Sequence, residues 1–325
     1  MSPTAARLPK GRARPLDVQR DLPAVADLIV LAFGHRLDAE GHHLVRHMRQ
    51  AARNGAFLRW AARQGEVPGM PLSGYVWEEE GRIVGHVSLI PMGHRRRQVY
   101  LIANVAVHPA RRRQGIARRL MEQALDHARR RRVGEVWLQV DADNHGAQEL
   151  YRQLAFHTRA RRCLWRWVGL PEAPKAPRLS LSRLGWGDAP RHRAWLLRAY
   201  PPEIGWFYPL SLPADLAPTP LGGLRRLLGK RWVQQVAVRR GGALALALAR
   251  LRTRSAYDAL FLAAPPAWTP QALALAAYAL NRRASRPVLL DYPASQHPNQ
   301  VAAFEAAGFV LHRDLLWMRW EGPKA

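Results

Sequence analysis

Between Leu101 and Leu120 an apolar strand pattern, Leu-Ile-Ala-Asn-Val-Ala-Val, runs through His108-Pro109 into a basic turn, and Gly115 then opens an amphipathic helix. This order predicts an anion site. The first-turn N–H groups of a helix lack intrahelical acceptors and sit at the positive end of its dipole. Gly115 lets the backbone approach a ligand closely. Arg111, Arg112, Arg113 and Arg118 add charge suited to phosphate. A pyrophosphate-bearing ligand is expected there. A second element follows downstream, Val140-Asp-Ala-Asp-Asn144, with Ala147, Leu150, Tyr151 and Phe156 spaced after it.

These residues resemble the GNAT superfamily of N-acetyltransferases, whose acetyl-CoA loop follows the pattern Gln/Arg-x-x-Gly-x-Gly/Ala. Arg112-Arg-Gln-Gly115-Ile-Ala117 fits that pattern between a strand and a helix, and the resemblance extends from about Arg14 to Val168. It implies acetyl-CoA as cosubstrate and direct acetyl transfer to a primary amine of a small molecule or a protein. It assigns the backbone of Val105, Ala106 and Val107 to the pantetheine arm, with Arg112, Arg113, Gln114, Gly115, Ile116, Ala117 and Arg118 around the pyrophosphate. Asn144 would reach the cofactor arm, and Tyr151 would protonate the leaving thiolate as general acid. Each of the last two has a plainer alternative: Tyr151 as a packing residue and Asn144 as a helix N-cap. The chain departs from the family at the strand before the loop, where uncharged Asn104 stands in place of a frequent Glu. Asp141, Glu78 and Glu79 are the nearby carboxylates, a water chain is the other route, and the general base stays open.

The elements that must position these residues follow from periodicity. Helices are expected from Leu22 through LPAVADLIVLAF, over Ala39–Arg53, over Gly115–Arg131 and over Ala147–Leu154. Strands are expected at Gly74–Glu79, Ile83–Pro91, Tyr100–Val107, Glu135–Val140 and Ala160–Val168. In the helix after Gly115, Ile116, Leu120, Ala124 and Ala128 form an apolar stripe.

A similar order returns in the second half: a hairpin turned at Gly241-Gly242, strand Tyr257–Ala263, helix Pro270–Arg282, strand Val288–Tyr292, helix Gln300–Ala307 and strand Leu311–Trp320. Where the phosphate loop should recur the chain reads Ala264-Pro-Pro-Ala-Trp-Thr-Pro-Gln271, whose prolines remove N–H donors. Phe304 stands where the first half has Tyr151. The expected fold class is therefore α+β (mixed α/β): two tandem GNAT-like domains, each a mixed, mostly antiparallel sheet flanked by helices. The expected boundaries are a basic disordered N-terminus over 1–13, a catalytic domain over 14–168, a proline-rich linker over 169–177 and a degenerate GNAT-like domain over 178–325. Tyr75, Trp77, Trp206 and Tyr208 are candidates either for an acceptor pocket or for the core.

The net charge of +26 invites a nucleic-acid partner. Against this, only Lys10, Lys175, Lys230 and Lys324 among the fifty basic residues are lysines, and the positive excess is divided evenly between the halves. A nucleic-acid-associated protein is thus a minor alternative, beside a non-catalytic acyl-CoA-binding or regulatory module. Cys163 is the single cysteine, which excludes an intramolecular disulfide. With no apolar run of the ~18–20 residues that a membrane span needs, a cytoplasmic protein without a membrane partner is expected. His43 and His47 lie four apart on a helix, but no acidic or cysteine partner completes a metal motif, so no metal is expected.

Overall fold

A computed structural model of the chain describes residues 11–94, 97–230, 232–282, 284–294 and 299–322. Two compact units emerge. The first holds the chain through Val140, Asn144–Arg159 and the residues from Trp317 onward; the second holds Asp141–Asp143 and Ala160–Leu316.

The first unit contains β1 (Arg12–Pro15), α1 (Leu22–Phe33), α2 (Ala39–Ala52), α3 (Gly55–Gln64), β2 (Ser73–Glu79), β3 (Arg82–His94), β4 (Arg97–Val107), α4 (Ile116–Arg130), β5 (Glu135–Asp141) and α5 (His145–Gln153). Strands β1 to β4 pair antiparallel in chain order, and β5 joins β4 in parallel. A parallel neighbour cannot be reached by a tight turn, so the chain crosses over through α4. The β2–β3 turn places Glu80 and Gly81 at φ 47° and 75°, the two left-handed residues of a turn whose twist suits a hairpin.

Helix α4 buries Ile116, Leu120, Met121, Ala124, Leu125 and Ala128, each Leu or Ile giving about 1.5–3 kcal/mol relative to exposure. On the other side Leu22, Val25, Ala26 and Ile29 of α1 join Val45 and Met48 of α2, Leu58 and Ala61 of α3, and Val76 in one apolar cluster. Helix α3 and strand β1 lie outside the elements expected from the sequence. Asn54 starts α3 by accepting the N–H of Phe57 at 3.0 Å, whereas β1 is held by its ladder to β2.

The second unit contains most of β6 (Phe156–Trp167), then β7 (Leu179–Ser182), α6 (Ala189–Ala199), α7 (Pro220–Leu228), β8 (Val233–Arg240), β9 (Ala243–Leu251), β10 (Asp258–Ala263), α8 (Pro270–Asn281), β11 (Val288–Pro293), α9 (Asn299–Ala306) and the start of β12 (Phe309–Trp320). Its pairing repeats the first: β7 to β10 run antiparallel in order, and β11 is parallel to β10. The hairpin turn again uses two left-handed residues, Gly241 and Gly242. Each unit is thus a mixed, mostly antiparallel sheet with helices. No helix among the described residues is long and apolar enough to cross a membrane.

The expected boundaries need correction. Arg12 and Ala13 belong to β1, not to a disordered N-terminus, and residues 1–10 lie outside the described residues. Segment 169–177 carries neither helix nor strand, yet it falls within the second unit, and the chain passes between units on either side of Asp141–Asp143, at Arg159 inside β6 and at Trp317 inside β12. A proline run marks where a strand must stop; it does not mark where one core ends.

Helix α4 packs closely against the sheet at Gly85. A Cβ there would lie 2.8 Å from Ile116 Cγ2 and 3.0 Å from both Leu120 Cδ1 and Trp77 Cβ. Gly85→Val is expected to destabilise the fold by about 1–3 kcal/mol, read as a lower urea midpoint at unchanged slope.

Candidate functional site

The site starts with an irregularity in β4. His86 pairs with Ala106 and Ser88 with Ala103, so Asn104 and Val105 together oppose Val87. That is a β-bulge. Asn104 takes φ 52°, a left-handed conformation that asparagine tolerates better than most residues. The paired register of β4 with β5 ends at Ile102 and Leu138. Beyond it, Ala103–Val107 have no strand partner on their β5 side among the described residues, although backbone N–H and C=O groups require partners when shielded from water.

Past β4, the His108 ring accepts the N–H of Ala110 at 3.2 Å and steadies a short turn over Pro109–Arg111. Arg113 and Gly115 then adopt φ 63° and 80°. Left-handed residues alternating with ordinary ones turn successive N–H groups toward one concavity. A Cβ on Gly115 would meet nothing within 4 Å, so glycine is required there for its φ and leaves open space in front of the backbone. Helix α4 starts with Arg119 N–H donating to Gly115 O at 3.1 Å. The N–H groups of Ile116, Ala117 and Arg118 therefore have no intrahelical acceptor.

The arginines of the turn divide their tasks. Arg111 donates to Glu79 at 2.8 Å, and Arg112 donates to the carbonyl of Ala32 at 2.7 Å. Both are thus occupied in holding the turn to its neighbours. Arg113 is exposed and has no hydrogen-bond or ion-pair partner among the described residues. Arg118 donates to Gln153, which ties the first turn of α4 to the end of α5.

Two residues before Gln153 lies Tyr151, 6% exposed, with its ring 6.1 Å from that of Phe156. Burial pushes its phenol up to about 12, and its hydroxyl has no hydrogen-bond partner among the described residues. It therefore keeps its proton at neutral pH. Asn144 caps α5, its side chain accepting the N–H of Ala147 at 3.2 Å.

The comparisons with known proteins bear on the same stretch. Residues 42–156 match the sequence model of the acetyltransferase (GNAT) family. Over this segment the chain is similar to the GNAT acetyltransferases. N-alpha-acetyltransferase RimI of Mycobacterium tuberculosis is 37% identical over 76 residues, 23% of this chain and 46% of that protein. The [ribosomal protein bS18]-alanine N-acetyltransferase of Escherichia coli is 43% identical over 54 residues, 17% of this chain and 36% of that one. The chain thus spans less than half the length of these curated relatives. A tandem GNAT protein from the clavulanic acid biosynthesis pathway matches 97% of this chain and 100% of its own, with a TM-score of 0.53 at 20% identity. That likeness is one of fold.

Near this stretch, the carboxylates considered for proton removal are engaged elsewhere. Glu78 pairs with Arg14 and Arg20, and Glu79 accepts from Arg111 and from Trp77 Nε1. Asp141, in the second unit, accepts from Arg313 at 2.8 Å. The aromatic candidates are core residues: Tyr75, Trp77, Trp206 and Tyr208 are all below 10% exposed. The rings of His43 and His47 lean together with their Nε2 atoms 3.1 Å apart.

A polar chain at the bulge escaped the sequence reading. Asn104 donates to Ser88 Oγ at 3.1 Å, and Ser88 Oγ lies 2.8 Å from His86 Nε2. Both His86 and Ser88 are fully buried. The available signal was two polar residues, two apart, in an otherwise apolar strand.

In the second unit, Phe304 is fully buried, its ring stacked 4.5 Å from Trp165 and meeting Trp268 edge-on at 5.0 Å. No register shift interrupts β9 with β10.

Burial lowers His86 from 6.5 to about 4. The neutral ring is favoured in the fold, while the unfolded chain takes up its proton first. The corresponding stability is complete above pH 6.5 and is lost as pH falls toward 4, by a few kcal/mol. Unfolding free energy measured between pH 7 and 4 should fall more steeply in the wild-type chain than in His86→Gln. Equal slopes would show that His86 is not the titrating group.

Proposed function

We propose that the chain is an acetyl-CoA-dependent N-acetyltransferase that acetylates a primary amine of a small molecule or a protein by direct attack. The reading rests on one observation: a left-handed Arg113-Gln-Gly115 turn with free N–H groups follows a bulged strand whose end has lost its parallel partner. The residues fit a diphosphate ligand, since the space before Gly115 is open and the first-turn N–H groups of α4 lack acceptors.

Acetyl-CoA, when bound, supplies an activated thioester. The N–H groups of Gln114 to Arg118 hold its diphosphate, with Arg113 adding an uncommitted charge and Arg112 bracing the turn. The backbone of Val105, Ala106 and Val107 receives the pantetheine arm as a strand would, and its N–H groups face the oxygen on which negative charge develops. Asn144 serves as a cap that leaves its amide nitrogen for the arm. As the C–N bond forms and the C–S bond breaks, Tyr151 gives its proton to the sulfur and recovers one from solvent. The amine loses its own proton through water, because the neighbouring carboxylates are ion-paired.

The second unit is proposed as a GNAT-like domain without a working loop. Supporting this, Ala264–Gln271 lacks the Arg-x-x-Gly pattern, and Phe304 sits without a hydroxyl in an aromatic cluster. The relatives named for acetylating an α-amine or the alanine of bS18 make a peptide α-amine the first acceptor to screen.

Calorimetric titration of acetyl-CoA should show saturable binding to the wild-type chain and none to Gly115→Glu. A folded wild-type protein that binds no acetyl-CoA would sink the reading. With an acceptor in hand, Tyr151→Phe is expected to lower kcat about 100-fold or more while leaving the KM for acetyl-CoA nearly unchanged.

A further inference from the structure

The second unit contains a cleft of about 410 Å³ that the proposed reaction does not use. It lies where β10 begins and α8 ends. The segment corresponding to the phosphate loop, Ala264–Gln271, is at the other end of α8, ~18 Å away for a helix of twelve residues. Arg250, Arg252, Arg282 and Arg286 line the cleft, and Asp258 is the single carboxylate among its lining residues.

The arrangement is built from the inside outward. Asp258 is 1% exposed and accepts Arg250 through Nε and Nη2 at 3.1 and 2.7 Å and Arg286 Nη1 at 3.0 Å. Arg250, itself 8% exposed, also donates to the carbonyl of Leu280, and Arg286 donates to those of Thr253 and Ser255. One buried carboxylate thus orients two guanidinium groups and neutralises only one. Arg252 and Arg282 stand exposed at the mouth, and their side chains have no hydrogen-bond or ion-pair partner among the described residues. The lining carries three net positive charges. Leaving them clustered without a counter-ion is unfavourable, and planar guanidinium groups held by a rigid frame match phosphate oxygens well. Trp232, 52% exposed, offers an apolar ring at the rim, and the volume lies within the range of small-molecule sites.

We propose that this cleft binds a phosphate-bearing small molecule, its phosphoryl group on the four arginines and its organic part against Trp232. The inference stands apart from the acetyl-transfer reading, since it uses none of the same residues.

Calorimetric titration with inorganic pyrophosphate, on the whole chain, tests it. Saturable binding is expected in the wild-type chain and in Gly115→Glu, with at least a tenfold loss in the double variant Arg252→Glu/Arg282→Glu. Those two residues are exposed, so the variant should fold, which its thermal midpoint and unchanged acetyl-CoA affinity would verify. Pyrophosphate that fails to bind, or that binds the double variant as well as the wild type, overturns the proposal. Citrate binding as tightly as pyrophosphate would overturn the phosphate assignment. A binding signal lost in Gly115→Glu but kept in the double variant would assign it to the first unit and equally refute the cleft.

Discussion

The left-handed residue in β4 is the constraint from which the candidate site follows. Once Asn104 adopts φ 52°, Val87 faces two residues at once and the strand must turn away from its earlier direction. The paired register with β5 stops at Ile102. A strand interior normally satisfies its own N–H and C=O groups, and here one edge of it does not. That deficit is tolerable only at an edge reached by water or by a ligand that can replace the missing strand. The Asn104–Ser88–His86 chain sits directly behind the bulge and holds it from the buried side. Its cost is borne locally, in a histidine that burial keeps neutral.

The high positive charge reads differently once its partners are visible. Much of the arginine excess is used to fasten elements together. Arg14 bridges Asp21 and Glu78 at the start of the first unit, Arg239 holds Asp188, and buried Arg162 holds Asp291 beneath the Tyr200 ring. Buried pairs of this kind contribute little net stability, because desolvation offsets attraction, but losing one partner is costly. They fix geometry. Arginine suits the role better than lysine, since its fork reaches a carboxylate and a backbone carbonyl together, as Arg162 does with Asp291 and Ala199 O.

The two units show how one order of elements supports different interiors. Both run three antiparallel pairings in chain order followed by one parallel pairing, and the second adds an antiparallel pairing of β11 with β6; both hairpins turn on two left-handed residues. They diverge at the end of the strand before the crossover helix. The first unit has a bulge, a glycine turn and a tyrosine hydroxyl without a partner among the described residues. The second has an unshifted ladder, a proline-rich segment and Phe304 packed among Trp165, Trp268 and Tyr292. Aromatic rings there fill space that polar groups would otherwise require water or ligand to satisfy.

By itself the sequence determined most of the elements, because hydrophobic period and turn residues are local properties. Leu22–Phe33 lies where the pattern puts it, and the turns at Glu80–Gly81 and Gly241–Gly242 each contain glycine, which accepts positive φ. The strand, basic turn and Gly115 helix start were legible for the same reason, since an anion site of this type is contiguous in the chain. What only the tertiary structure decided depends on residues far apart. It occupied Arg111 with Glu79 and Arg112 with Ala32, put Ser88 behind Asn104, and buried Tyr75 and Trp77 in the core. It also put crossings between the units inside β6 and β12 instead of at the expected linker, and gathered four arginines with Asp258 around one cleft. Local pattern specifies which backbone conformation a segment prefers; which side chains then share a space is set by packing between segments that the sequence keeps apart.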